Sequence, residues 1–264
     1  MADTSPASDL DIAALEGALA RRVIGRRIHH YDLIGSTMDE ARRLAAEGAA
    51  EGTVVIAEEQ TAGRGRFDRP WVSPRGENLS FSVILTPPAS LLPYMNMAAT
   101  LAVARTVADC GDLMPTIKWP NDVRVGGLKI SGILIETAIE SEDTVFANVG
   151  IGVNVNFDPS LYAEIADIST SLYRETGQRR NRTPVLHTLL EQFDDAYAAV
   201  CAGKSLTADW SAMLDTLGRT VNLRSQHETI QGVAESVDER GNLLVRLSDG
   251  SLYTATAGEV TSQV

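Results

Sequence analysis

Cysteine is scarce: Cys110 and Cys201 are the only two in 264 residues. They lie far apart with no CxxC or Cys/His spacing, which excludes a disulfide framework and a zinc site and fits the reduced thiols of a cytoplasmic protein. Metal held mainly by protein ligands is not expected. Long hydrophobic runs are missing as well; none approaches the roughly 20 residues of a membrane span. The opening MADTSPASDLD is acidic and polar, whereas a secretory signal is basic and then apolar. There is no basic tail. With 23 Lys and Arg against 35 Asp and Glu the net charge is −12, so the surface as a whole repels nucleic acid. His29, His30, His187 and His227 show neither metal nor Ser/His/Asp spacing, and the lack of a nucleophile–base pair points away from covalent hydrolysis. No Walker A loop is present, and no GxGxxG opens a helix.

What is present is ordinary globular composition, 44% hydrophobic and 22% charged, at a length that suits one large domain with a small appendage. Helices are expected over residues 11–22, 36–48 (Ser36 as N-cap, Asp39 three residues on, Gly48 as stop), 94–110, 184–202 and 206–217. Strands are expected over residues 53–58, 79–86, 116–119, 128–139 and 144–156. Gly126–Gly127 reads as a hairpin connection, and residues 141–143 as the link between the two long strands. After Gly218 the pattern changes to short strands over 220–224, 229–237, 243–247 and 252–255, separated by RGN and DG turns. This reads as a small β-barrel of about 45 residues, too little to bury much core alone, docked on the main domain.

The strand at 144–156 sorts by alternation. Val145, Ala147, Val149, Ile151, Val153 and Val155 fall on a core side; Phe146, Asn148, Gly150, Gly152, Asn154 and Asn156 fall on the other. That second face is either covered by a loop or is the floor of a ligand site. Residues 60–71 read QTAGRGRFDRPW. Arginine forks on a glycine-containing loop suit a carboxylate or a phosphate, although GRGR alone is equally an exposed basic loop. In KWPND, Asn121 can pair with a heteroaromatic edge and Asp122 can meet Mg²⁺, or both are turn residues. Lys129 starts an apolar strand and by alternation shares a face with Ser131, Ile133 and Ile135; it is a solvated edge residue or a cation in a pocket. Ser36 and Thr37 open a helix, which both caps it and offers an acceptor or anion site.

In order along the chain, GSTMDEA, AEEQTAGRGRFDRPWVSP, KWPNDV, GGLKISGILIE and GIGVNVN resemble the biotin–protein ligase family, from about residue 27 to the C-terminus. The resemblance implies an α/β (α+β) fold, a mixed sheet like that of class II aminoacyl-tRNA synthetases followed by an SH3-like barrel. The division it implies is an N-terminal segment over 1–26, a catalytic domain over 27–217 and the barrel over 218–264. It implies that biotin and ATP, with Mg²⁺, give biotinyl-5'-adenylate and pyrophosphate, and that a lysine of a biotin carboxyl-carrier protein then takes the biotin. By the same resemblance Ser36, Thr37, Met38 and Gln60 meet the biotin head, and Arg64, Gly65 and Arg66 form the loop over the ligand. Lys129 stabilises charge near the biotin carboxylate and α-phosphate, with Gly132 permitting close approach. Trp71, Asn121, Gly152 and Asn154 flank the nucleotide with Arg66 and Lys129, and Asp122 is the candidate for the metal.

Two positions depart from the family pattern. Met38 stands where an amide residue is common and cannot donate a hydrogen bond; Asp68 stands where glycine is common, though aspartate tolerates left-handed geometry. Only about 26 residues precede the matched region, too few for the helix-turn-helix that some members carry. Specific operator binding is therefore not expected, and a salt-sensitive, sequence-specific gel shift at nanomolar protein would overturn that. Members often pair through the sheet, which makes a homodimer one option. The competing readings are a lipoate or octanoate ligase or transferase, a non-catalytic biotin sensor, and a generic nucleotide-binding protein that leaves the ordered motif set unexplained.

Overall fold

A computed structural model describes residues 8–139, 145–224 and 229–262. The first helix, α1 (Ile12–Ala18), is capped by Asp11, whose carboxylate accepts from the Ala14 N–H at 3.0 Å. It ends before the expected residue 22 because the N–H groups of Val23 and Ile24 are taken by Asp194 Oδ1, at 3.0 and 2.8 Å. A short strand that the sequence did not announce, β1 (Ile28–Tyr31), follows. Then comes α2 (Thr37–Ala46), where Ser36 Oγ accepts from the Met38 N–H at 3.2 Å, as expected of its N-cap.

The main sheet also contains β2 (Val54–Ala57), β3 (Leu79–Leu85), β4 (Pro115–Lys118), β5 (Asp122–Val125), β6 (Leu128–Ile139) and β7 (Val145–Val153). Its order is β1-β2-β3-β7-β6-β5-β4; β1 pairs with β2 in parallel and the other pairs are antiparallel. The two-residue link between β5 and β6 has Gly126 at φ 58° and Gly127 at φ 84°, the backbone of a tight hairpin that only glycine takes readily. The link expected at 141–143 lies outside the described residues.

One face of the sheet is packed by α3 (Leu92–Asp109) and α5 (Arg182–Cys201). Ala147, Val149, Ile151, Val153 and Val155 enter this core, as alternation required. On the opposite face α2 covers a second, smaller cluster of Ala41, Val55, Ile84 and Phe146. A five-residue helix, α4 (Leu172–Thr176), lies between β7 and α5. The last helix, α6 (Thr207–Ala212), is shorter than expected. Its chain leaves the helix so that Met213 O can accept from Ile117 N–H at 2.8 Å and Asp215 N–H can donate to Ile117 O at 3.0 Å, covering the outer edge of β4.

The C-terminal strands β8 (Thr220–Arg224), β9 (Thr229–Val237), β10 (Leu243–Arg246), β11 (Leu252–Ala255) and β12 (Glu259–Ser262) form an all-antiparallel sheet, ordered β11-β10-β9-β8-β12. Its interior residues Val221, Leu223, Ala234, Leu243, Val245 and Val260 join the main core, so the two sheets are packed together. The buried Trp119 indole seals that junction by donating to Gly241 O at 2.9 Å. Among the described residues no helix is long and apolar enough to cross a membrane.

Candidate active site

The sheet register lays out the floor of the site. Lys118, Asp122, Gly132, Gly152 and Ser80 stand side by side on neighbouring strands, and Leu134, Gly150 and Ser82 form the next row. Paired residues in antiparallel strands share a face, so all of these look away from the α3–α5 core. Side chains lie directly on the three glycines. A Cβ at Gly152 would sit 2.4 Å from the Trp71 ring, one at Gly150 would sit 2.5 Å from Met38 Sδ, and one at Gly132 would sit 2.8 Å from Lys129 Nζ. The glycine face of β7 is thus covered by Trp71 and Met38, and the lack of side chains there is what lets the two approach.

Lys129 reaches this face against the alternation read from the sequence. Val123 pairs with Ser131 but Arg124 pairs with Lys129, so β6 carries a bulge at Ile130. The extra residue turns Lys129 away from Ser131 and Ile133, which are buried against the core, and onto the side of Gly132 and Asp122. There Lys129 Nζ lies 2.7 Å from Asp122 Oδ1 and 5.8 Å from the Trp71 ring.

The N-terminus of α2 forms the other wall. Gln60 Oε1 accepts from the Thr37 N–H at 2.9 Å and from its hydroxyl at 3.2 Å, and Ser82 Oγ donates to Thr37 Oγ1 at 2.9 Å. These bonds fix the orientation in which Gln60 offers its amide nitrogen. Asp39 does not close a capping box; it faces Arg64, which binds it through two nitrogens at 3.1 and 2.8 Å and reaches Glu136 at 3.1 Å. The Arg64 hydrogen bond holds the Asp39 carboxyl below its ordinary range, and the same pairing, led by Asp39, raises the guanidinium.

The arginine loop is anchored at its far end by the C-terminal sheet. Arg66 donates to Asn121 Oδ1 at 3.0 Å and to Gly258 O at 2.9 Å; Arg69 holds Glu259 through both oxygens at 2.5 and 2.7 Å. Burial pulls the Arg66 pKa down despite the attraction of Asp122 and Glu259. Phe67 and Asp68 both sit in the left-handed region, at φ 59° and 56°, so Asp68 takes the geometry for which a glycine is common. Gly65 N–H donates to Arg69 O at 2.8 Å and closes the turn.

The structure therefore gathers Ser36, Thr37, Met38, Gln60, Arg64, Gly65, Arg66, Trp71, Asn121, Asp122, Lys129, Gly132 and Gly152 around one surface. Asn154 stands apart. It is buried at 4% exposure, with its amide donating to Thr170 O and accepting from Asn78. Its side chain holds the strand end. Asn121 is engaged at both ends of its amide, donating to Ile133 O at 2.8 Å and accepting from Arg66 at 3.0 Å. For a metal, Asp122 offers a single carboxylate already paired with Lys129. Among the described residues no three His, Cys, Asp or Glu side chains come together as a metal site.

Sequence reasoning passed over a buried ion cluster that clamps both stems of the loop. Arg182, 1% exposed, binds Glu58 Oε2 at 2.7 Å, Asp9 Oδ1 at 2.6 Å and Asn78 O at 3.1 Å. Glu58 follows β2 and Asn78 precedes β3, so one guanidinium fixes where the loop leaves and returns. Burial opposes charge on Glu58, yet His30, Ser8 and Arg182 together hold its pKa at about 2. Only the arginine run near residue 180 could have hinted at this. Glu259 was also missed, because it enters the site through Arg69, 190 positions away; Lys118 was passed over although it pairs with Asp122 just along the KWPND stretch.

The chain resembles known proteins over most of its length. Residues 31–156 match the Biotin/lipoate A/B protein ligase family, and residues 216–261 match the Biotin protein ligase C terminal domain. The chain is 33% identical over 244 residues to the bifunctional ligase/repressor BirA of Bacillus subtilis, covering 90% of this chain and 75% of that protein. It is 32% identical to the biotin–[acetyl-CoA-carboxylase] ligase of Mycobacterium tuberculosis, covering 86% and 85% of the two chains. The biotin protein ligase from Aquifex aeolicus, solved in complex with biotin and ATP, superposes with a TM-score of 0.77 at 28% identity, over 90% of this chain and 99% of that one.

Proposed function

The chain belongs to the Biotin/lipoate A/B protein ligase family, and on that premise we infer that it is a biotin–[acetyl-CoA-carboxylase] ligase that uses biotin and ATP. In the first half-reaction a biotin carboxylate oxygen bonds to the α-phosphorus of ATP while the bond to the β-phosphate oxygen breaks, releasing pyrophosphate. In the second, the amine of a carrier-protein lysine bonds to the acyl carbon, AMP leaves, and an amide remains.

The observation that carries this reading is that Arg66, from the loop, and Lys129, from the bulged strand, meet the adjacent residues Asn121 and Asp122, with Lys129 lying on Gly132. Two anions repel as they approach, and fixed cations placed beforehand offset that repulsion without reorganising at the moment of reaction. Arg66 and Lys129 take that role, and Arg64 joins them from the α2 side. Ser36, Thr37 and Gln60 offer the mixed donors and acceptors that a ureido ring requires. Met38 adds only apolar contact there, its thioether resting on Gly150. Trp71 and Gly152 bound the slot that the adenylate occupies, Asn121 serves the nucleotide, and Asn154 supports it from behind. Mg²⁺ arrives on the ATP phosphates as part of the substrate, and Asp122 is the carboxylate offered to it. The partner is a biotin carboxyl-carrier protein. A homodimer would form along β1, an edge strand of the main sheet.

The test is direct: incubation with biotin, ATP, Mg²⁺ and a purified carrier domain, read by intact mass. A gain of one biotinyl group, lost when the acceptor lysine is changed to arginine, is expected. No gain with biotin but a gain with lipoate would move the chain to the other branch of its family.

A further inference from the structure

Beyond Asp122 the floor row continues to Lys118, two strands from Gly132 or about 10 Å at ordinary strand spacing. Lys118 belongs to none of the contacts assigned above. It is half-buried and shares its face with Asp122, yet among the described residues it forms no ion pair within 4 Å. The carboxylates around it are engaged: Asp122 by Lys129, Glu259 by Arg69, and Asp215 by Arg124 at 3.8 Å together with the Thr116 hydroxyl. Its other charged neighbours, Arg124 and Lys129, are cations. Burial and these like charges push the Lys118 ammonium below its ordinary pKa, against the pull of Asp122 and Glu259.

Arg124 stands on the same face, paired with Lys129 and Thr116 across its strands. Its Nε is buried and has no hydrogen-bond partner. Two half-buried cations, one lacking an ion pair and the other keeping an unused donor, cost stability in a ligand-free site and repay it when an anion arrives. The anion belongs at the end of the row away from the biotin wall, beyond the carboxylate offered to Mg²⁺.

We propose that Lys118, with Arg124 behind it, holds the pyrophosphate that leaves when biotin attacks the α-phosphate. The proposal rests on the ligase reading above and deepens it by placing the leaving group. The α-phosphorus–oxygen bond breaks with its electron pair going to pyrophosphate, and Lys118 keeps its proton while donating hydrogen bonds to those oxygens. Its charge is spent on the adenylation half-reaction alone, because no pyrophosphate is present when the carrier lysine attacks.

The experiment separates the two halves. In Lys118→Met, inhibition of adenylate formation by added pyrophosphate should weaken at least tenfold, and adenylate formation at subsaturating ATP should slow by a similar factor. Transfer from chemically prepared biotinyl-adenylate to the carrier domain should keep its wild-type rate. Lys118→Arg, which retains the charge, should recover pyrophosphate inhibition to within about threefold of wild type. Unchanged pyrophosphate inhibition in Lys118→Met, or an equal loss in both half-reactions in both variants, overturns the assignment. Wild-type protein that forms no adenylate from biotin overturns the ligase reading and the proposal together, which distinguishes that failure from the first.

Discussion

Gly152→Ala is a single-methyl probe of the floor. The added Cβ would meet Trp71 at 2.4 Å from two ring carbons and 2.8 Å from the indole nitrogen. Comfortable carbon–carbon contact begins near 3.5 Å, so the ring must retreat by about 1 Å. An indole moves as a rigid plate, and the retreat carries with it the wall of the adenylate slot. Overpacking of this kind costs about 1–3 kcal/mol of stability, or roughly 2–10 °C in Tm for a chain of this size. A misplacement of about 1 Å in a reacting site costs on the order of a hundredfold in rate. Gly150→Ala is the matched control. Its Cβ would meet Met38 Sδ at 2.5 Å, but a thioether on a flexible stem can swing aside, so the loss there should stay within about tenfold. The assay is adenylate formation at saturating ATP, with tryptophan fluorescence reporting the ring. If Gly152→Ala forms adenylate at the wild-type rate with unchanged fluorescence, Trp71 is not a wall of the site and the reasoning fails.

Arg66→Ala and Lys129→Ala should each slow adenylate formation at least tenfold, about 1.4 kcal/mol of transition-state stabilisation; unchanged rates in both would discard the site assignment. Glu259→Gln frees Arg69 from a partly exposed ion pair worth about 0.2–1 kcal/mol, so stability should barely move. The loop it anchors should loosen, and the KM for ATP should rise a few-fold in steady-state assays; no change in KM would show that the C-terminal sheet does not set the loop. Arg182→Met leaves Glu58 buried without its cation and should cost about 3–5 kcal/mol in denaturant unfolding. A loss below about 1 kcal/mol would contradict the clamp. Glu58 sets an acid limit: its folded pKa of about 2 lies below the ordinary 4.5. Its contribution to stability is therefore complete above about pH 4.5 and is lost as pH falls toward 2. Glu58→Gln should flatten the unfolding curve in that window, and an unaltered slope would reject the linkage.

Much of this was legible in local pattern. The alternation of β7 placed Val149 and Ile151 in the core and Gly150 and Gly152 on the floor, because a strand shows its faces residue by residue. The Gly126–Gly127 hairpin and the Ser36 cap were equally local. What escaped was set by pairing far along the chain. The bulge at Ile130 depends on how β6 meets β5, and it turned Lys129 to the opposite face from the one alternation gives. The Arg182–Glu58 bond joins residues 124 positions apart, and no window of sequence contains both. Strand β1, with the sequence IHHY, has too little apolar periodicity to stand out, and it forms because β2 offers it an edge. Strand β12 was missed for the same reason, β8 supplying its partner.

The most direct measurement is ATP–pyrophosphate exchange on the purified protein with Mg²⁺, comparing biotin, lipoate and no acid. The account predicts exchange with biotin alone, abolished or slowed at least tenfold in Arg66→Ala and Lys129→Ala. Folded protein that shows no exchange with biotin, or exchanges with lipoate instead, would contradict it.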